Sequence, residues 1–349
     1  MSAILLASRK SQLIRLQKIP YLRLCLALIA LMAAALAAGQ YPIAAHDLIA
    51  AIWGKLSGSA DTAPEAIQAI IFEVRAPRIL AAALTGAALA ASGATFQVMF
   101  RNPLVSPDIL GVSAGAALGA CLAIFISLPM VAVQFFAFAG GVLAVFMVYA
   151  LGKTVRGHDP VLNLILTGMV IGAFLGSAIA LVKYLADPYN QLPAITFWML
   201  GSLADMTLPE VAAMAALCFL GMVPLFLLRW RIDLLALPDD EARALGVNVN
   251  RLRIVVVASA TLITAAAVAV TGVIGWIGLI VPHAARLLAG AQFSRLLPVS
   301  MLLGATCLLG VDTLARSIAS IEIPPGVLTA ILGAPLFLWL LAKTARGQE

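Results

Sequence analysis

The run MVAVQFFAFAGGVLAVFMVYALG at residues 130–152 carries no charged side chain from one end to the other. About 20 apolar residues in a helix cross the hydrocarbon core of a bilayer, so this run predicts a transmembrane helix. Nine comparable runs predict further spans, and we expect an all-α membrane protein with about ten transmembrane helices. The other runs lie near 20–39, 77–99, 109–127, 161–185, 207–228, 254–273, 277–290, 297–315 and 327–343.

The composition of the whole chain supports this class. Apolar residues make up 63% of its 349 residues and charged residues 11%, whereas a soluble domain is roughly 45–50% apolar and about 25% charged. No soluble fold of this size buries so much apolar surface. An ordinary cytoplasmic enzyme, a disordered protein and a nucleic-acid-binding domain are therefore excluded, and the bilayer is the expected surrounding.

The positions of the basic residues predict the orientation. With the N-terminus inside, 17 of the 22 Lys and Arg residues fall on the cytoplasmic side and five fall outside. Cytoplasmic loops of membrane proteins carry such an excess. The count predicts that both termini are cytoplasmic, and that Arg75, Arg78 and Arg316 lie on the outer side. The whole chain, 1–349, is expected to form one transmembrane domain.

One cytoplasmic loop contains a helix signal. Pro238 is followed by three acidic residues, which favour the first turn of a helix, and Gly246 is a good stop. We expect a short helix at the membrane surface that docks a cytosolic partner. Its residues are Asp239, Asp240, Glu241, Ala242, Arg243, Ala244, Leu245 and Gly246.

Few ionisable residues fall inside the predicted spans, although such residues mark ion pathways. A carrier driven by a proton or sodium gradient needs them and is disfavoured, but it stays an alternative. A non-transporting scaffold is a second alternative, which the well-delimited segment 239–246 disfavours. Gly152-Lys153-Thr154 resembles the end of a phosphate-binding loop, but Met147 stands where that loop needs glycine. We expect no ATP site, no metal site and no cofactor in this chain.

Smaller signals predict packing and local structure. Gly111, Gly115 and Gly119 are spaced four apart, and so are three glycines at 168, 172 and 176; small residues at this spacing let membrane helices approach closely. Asp312 and Arg316 are also four apart, which suits a local ion pair. The segment 190–203 predicts a short outer helix.

Four groups of residues, taken together and in order, resemble the FecCD family, the permease subunits of ABC importers for iron–siderophores, haem and vitamin B12. The resemblance covers about 70–346. The groups are VRAPR (74–78) with GAALAASG (86–93); RNPLVSP (101–107) with LGVSAG (110–115); EARALG (241–246) with GWIGLIVPH (275–283); and DTLAR (312–316) with PPGVLTA (324–330) and GAP (333–335).

The resemblance implies the type II ABC importer permease fold, with ten helices in each subunit of a homodimer and the translocation path between the subunits. It implies two copies of a cytosolic ATPase, which bind ATP and Mg and hydrolyse the ATP, and a binding protein that delivers cargo from outside. The permease itself is not an enzyme. The expected location is the bacterial inner membrane.

The resemblance also implies residue roles. Segment 239–246 matches the helix that couples the permease to its ATPase, and Arg75, Arg78 and Arg316 match basic residues that receive acidic residues of the binding protein. The alternatives for these arginines are anchoring at the membrane interface, or pairing of Arg316 with Asp312. For the cargo, an iron chelate such as a siderophore complex or haem ranks first, and cobalamin or molybdate second.

Overall fold

The structure is a computed structural model that describes residues 21–39, 41–58, 63–154, 160–318 and 321–346. Regular secondary structure in these ranges is helical. The α-helices are α1 (Tyr21–Ala37), α2 (Ala45–Ser57), α3 (Glu65–Ala69), α4 (Ala76–Met99), α5 (Val112–Phe125), α6 (Met130–Gly152), α7 (Pro160–Leu185), α8 (Gln191–Leu200), α9 (Leu208–Leu227), α10 (Arg229–Ile232), α11 (Asp239–Ala244), α12 (Val249–Thr271), α13 (Ile277–Ala289), α14 (Phe293–Ala315) and α15 (Pro325–Arg346).

The expected all-helical class is confirmed. Six helical segments are long and apolar enough to cross a membrane, and four shorter apolar helices, α1, α5, α13 and α15, occupy the remaining predicted runs. The number of spans and the cytoplasmic location of the termini stay predictions. Below, "inner" and "outer" name the two ends of the bundle as the charge count predicts them.

The outer segment before α4 is more regular than its polar sequence indicates. It contains α2, α3 and a π-helical turn, Ile70–Arg75, that runs directly into α4. The apolar run near 77–99 matches α4, and the helical path extends further toward the N-terminus through this π-helical turn. A proline that lacks an N–H is tolerated inside this continuous helix because the wider π turn just before it changes the hydrogen-bond register.

The core of the protomer is built on α4, which packs against α12, α13 and α14. Two close approaches set this packing. A Cβ at Gly86 would overlap the Gly304 carbonyl of α14, and one at Gly93 would overlap the Gly278 carbonyl of α13. Glycine brings the backbones together, and dispersion contacts then hold the helices. The core is therefore specified by glycines on paired helices.

The glycines with the predicted four-residue spacing differ in whether another helix packs against them. A Cβ on Gly115 or Gly119 would overlap a backbone carbonyl of α6, and a Cβ on Gly168 would overlap the carbonyl of Ile109. These three glycines therefore allow close backbone packing, as expected. Gly172 and Gly176 on α7 have open space beside them in the protomer. Helix α7 is the least buried of the long helices, with 17% of its apolar window inside the protomer. Its outward face therefore meets lipid or a second subunit.

Candidate functional sites

The inner loop after α9 forms a short helix where the sequence predicted one. Helix α11 spans Asp239–Ala244, and Leu245 and Gly246 follow it as its C-terminal turn, with Gly246 at a φ of +82°. This left-handed conformation is easily reached only by glycine. The helix is two residues shorter than the predicted segment because that turn reverses the chain.

Asp239 anchors this helix to the bundle. Its carboxylate accepts hydrogen bonds from Arg253 on α12 at 3.1 and 3.2 Å and from Arg101 at 3.4 Å. The Arg253 side chain is 5% exposed, so the pair is largely shielded from water. Arg101 also donates to the Leu237 carbonyl oxygen at 3.2 Å. Helix α11 is therefore held against α12 by charged hydrogen bonds.

A second contact holds the segment before α11. The Asp233 carboxylate accepts a hydrogen bond from the backbone N–H of Phe293, the first residue of α14. Ala242 is the buried residue of α11 itself. The inner loop is thereby tied to both α12 and α14, the two helices that pack on α4.

The opposite face of α11 is free in the protomer. Asp240, Glu241, Arg243 and Ala244 are exposed, and Leu245 exposes 61% of its surface. Asp240 pairs with Arg243 at 2.9 Å within the helix. The anchored helix thus presents a rigid surface.

The three outer arginines lie close together but are buried, each about 5% exposed. Arg75 donates to the carbonyl oxygens of Leu36 at 2.5 Å and Ala37 at 3.2 Å, and also to that of Tyr41. These groups include the carbonyl end of α1, where a cation is favourable. Arg75 therefore fixes the outer end of the first helix.

Arg78 and Arg316 share the carboxylate of Asp312. Arg78 binds it through two nitrogens and also binds Glu322 at 2.8 Å. The Arg316 Nε lies 3.8 Å from Asp312, and its other nitrogens donate to the carbonyls of Ala35 and Ala38. Burial lowers the pKa of Arg316 from its usual value.

These contacts give each arginine a role within the fold. The expected pair of Arg316 with Asp312 is present but long, and Arg78 is the closer partner of that carboxylate. The docking role of Arg75, Arg78 and Arg316 stays a prediction. A binding protein that docks on these arginines would contact guanidinium groups that already have partners inside the permease.

A cavity of about 710 Å³ opens beside the arginine cluster, between the outer ends of α5, α6, α8, α9, α12 and α15. Three carboxylates line it, from Asp205, Glu210 and Glu322, and its lining includes no lysine, arginine or histidine. Glu210 is fixed by the capping box of α9 with Thr207 and accepts a hydrogen bond from Gln134 at 2.7 Å. Sequence reasoning missed this cavity because its residues come from the ends of six helices that are spread along the chain.

The turn that leads into α8 borders this cavity. The Asp187 carboxylate accepts hydrogen bonds from the Asn190 side chain at 2.8 Å and from the Tyr189 backbone N–H at 3.3 Å. These bonds favour the ionised form and lower the pKa of Asp187. The predicted short outer helix is confirmed as α8, and this turn sets where it begins.

Sequence reasoning also missed Trp276, which has a φ of +71° although it is not glycine. Its ring packs edge-on to Phe337 on α15, with ring centroids 6.4 Å apart. Bulky residues adopt this conformation only under strain. Within the described residues, no group of three His, Cys, Asp or Glu side chains is placed to hold a metal ion.

Comparison with known proteins agrees with this arrangement. The FecCD transport family model matches residues 26–343. The chain is 44% identical to a probable iron chelatin transport system permease protein of Helicobacter pylori over 275 residues, 79% of this chain and 83% of that protein. It is 40% identical to the molybdate import system permease protein MolB of Haemophilus influenzae, over 88% of this chain and 91% of that one.

A solved structure has the same fold. It is a metal-chelate type ABC transporter in an inward-facing conformation, 37% identical in sequence, and the TM-score is 0.83 over 93% of this chain and 98% of the other. The family match covers nearly all of the residues that carry the helices described above. This chain belongs to the FecCD transport family.

Proposed function

We propose that this chain is the permease subunit of an ABC importer and works as a homodimer with two copies of a separate ATPase. The binding of α11 to α12 through Asp239 and Arg253 supports this function best. A permease without its own ATPase has to receive mechanical work from outside the membrane. A short helix anchored on a core helix, with its other face exposed, suits that task.

In the proposed cycle, a loaded binding protein docks at the outer rim, and ATP closes the ATPase dimer beneath α11. The motion of α11 passes to α12 and α14 and rocks the two subunits, so that the path opens to each side in turn. ATP hydrolysis resets the cycle. The ATP and its Mg are bound by the ATPase, and no covalent chemistry takes place in this chain.

For the cargo we propose an iron chelate, either a siderophore complex or haem, imported across the bacterial inner membrane. The iron chelatin permease of Helicobacter pylori and the solved metal-chelate transporter support this class. Molybdate is the second candidate, since the Haemophilus influenzae relative covers a larger part of the chain at a similar identity. Cobalamin ranks with molybdate.

The test is purification of the full chain from its native membrane in mild detergent, followed by native mass spectrometry. We expect a complex of two permease and two ATPase subunits. Leu245→Glu, on the exposed surface beside α11, should lose the ATPase. Ile321→Glu, also highly exposed but on the outer side, should keep it. A folded permease dimer that carries no ATPase in the unmodified protein would contradict the proposal.

A further inference from the structure

The segment between α4 and α5 enters the membrane without forming a regular helix. Helix α5 has 14 residues and is therefore about 21 Å long, which is about 9 Å short of a hydrocarbon core roughly 30 Å thick. The residues before α5, which form a short 3-10 turn at Pro107–Leu110, cross the rest of the hydrocarbon core. Asp108 lies in this turn.

The neighbours of Asp108 place it well inside the bilayer. It shares a small crevice of about 10 Å³ with Leu89 and Thr264, which lie in the interior of the long helices α4 and α12. A Cβ on Gly278, at the start of the short helix α13, would touch the ring of Pro107. Two irregular segments, 101–111 and 272–276, therefore meet at membrane depth.

The Asp108 side chain is exposed in the protomer, although its neighbours Pro107 and Leu110 are buried. It accepts a hydrogen bond from the Ser113 hydroxyl. The ion pairs found among the described residues do not include Asp108.

Irregular backbone at membrane depth is tolerated only where protein buries it or where it lines a water-filled space, because lipid offers no hydrogen-bond partners. The protomer leaves Asp108 uncovered, and an exposed carboxylate in lipid would be costly. Lipid is therefore excluded as its surrounding, which leaves either water between the subunits or the surface of a second subunit.

Given the proposed function, we infer that Asp108 lines the aqueous translocation path in the membrane interior and makes the local potential there negative. A fixed carboxylate in a narrow path raises the local concentration of cations and lowers that of anions. Asp108 is thus a specificity-determining residue; among the proposed cargoes it favours neutral or cationic siderophore complexes over haem and molybdate, which are anionic.

The test measures the local potential without any cargo. In the assembled complex with Cys25→Ala and Cys307→Ala, Ser113→Cys places a thiol next to Asp108. The reaction rate of this thiol is measured with a cationic and with an anionic methanethiosulfonate. The ratio of the two rates is then compared between the protein with Asp108 intact and the Asp108→Asn variant. The native Cys121 and Cys218, which are buried, serve as internal unreactive controls.

We expect the thiol at position 113 to react in at least one nucleotide state, and the ratio of cationic to anionic rate to fall about tenfold in Asp108→Asn. Asp108→Cys is the second probe and should react faster than Cys121. A thiol that stays unreactive at both positions, or a ratio unchanged by Asp108→Asn, would overturn the inference. Because labelling needs neither cargo nor ATP hydrolysis, this outcome is distinct from failure of the importer assignment.

Discussion

Asp312 and Arg78 form a buried two-pronged ion pair between α14 and α4, although 234 residues separate them in the sequence. The Arg78 Nη2 lies 2.8 Å from the Asp312 Oδ1, and its Nε lies 3.0 and 3.1 Å from the two carboxylate oxygens. The Asp312 side chain is 0% exposed. This pair joins the outer ends of the two helices that form the centre of the core.

Asp312→Asn should therefore destabilise the protein strongly. It leaves the buried Arg78 and Arg316 without their shared carboxylate, and breaking a buried pair costs about 3–5 kcal/mol. The free energy of unfolding in detergent measures this. Glu322→Gln is the matched control because it also removes a partner of Arg78 from a side chain that is 40% exposed; its cost should stay below about 1 kcal/mol. Equal losses in the two variants would show that burial does not decide the strength of these pairs.

The glycine pattern gives a prediction about packing. Gly119→Ala should cost about 1–3 kcal/mol, since the added Cβ overlaps the Phe136 carbonyl on α6. Gly172→Ala, a matched change on α7, meets open space in the protomer and should leave protomer stability unchanged within about 0.5 kcal/mol. Thermal unfolding of both variants in detergent checks this. A Gly119→Ala protein as stable as Gly172→Ala would contradict the close approach of α5 and α6.

The anchoring of α11 predicts partial uncoupling by Asp239→Asn. Loss of the carboxylate releases α11 from Arg101 and leaves the buried Arg253 without its partner, so only folded protein that keeps its ATPase is compared. In that fraction the ATPase should still hydrolyse ATP. The number of cargo molecules taken up per ATP should fall about tenfold. Uptake and phosphate release, measured together in proteoliposomes, give this ratio. Glu65→Gln removes an exposed carboxylate of α3, away from the inner loop, and should keep the ratio. Normal coupling in Asp239→Asn would refute the role of this anchor.

The docking prediction for the outer arginines can be separated from their role in the fold. Replacing Arg75 and Arg78 with Glu should slow association with the binding protein about tenfold at low salt, and the effect should shrink as salt rises. Surface-immobilised permease measures the association rate. Because both arginines also bind internal carbonyls or carboxylates, only folded protein that elutes as the intact dimer is compared. Unchanged association by that folded fraction would remove these residues from the docking surface.

The positions of the apolar runs predicted nearly every long helix, because hydrophobic length is a local property of the sequence. Pro238 and Gly246 likewise delimited α11 through local capping and turn preferences. The sequence did not predict the partners of Arg75 or Arg78, because contacts across the bundle depend on which helices become neighbours. It also missed the irregular segments beside Asp108 and Trp276, since their place inside the membrane follows from the shortness of α5 and α13.

We expect that ATP, and not an ion gradient, drives transport through this chain. The most direct measurement is uptake of a labelled ferric chelate into proteoliposomes that contain the permease, its ATPase and the binding protein, with all ion gradients collapsed by ionophores. The account predicts that uptake continues and depends on ATP. Uptake that stops when the gradients collapse, and that is indifferent to ATP, would contradict it and favour the ion-coupled carrier.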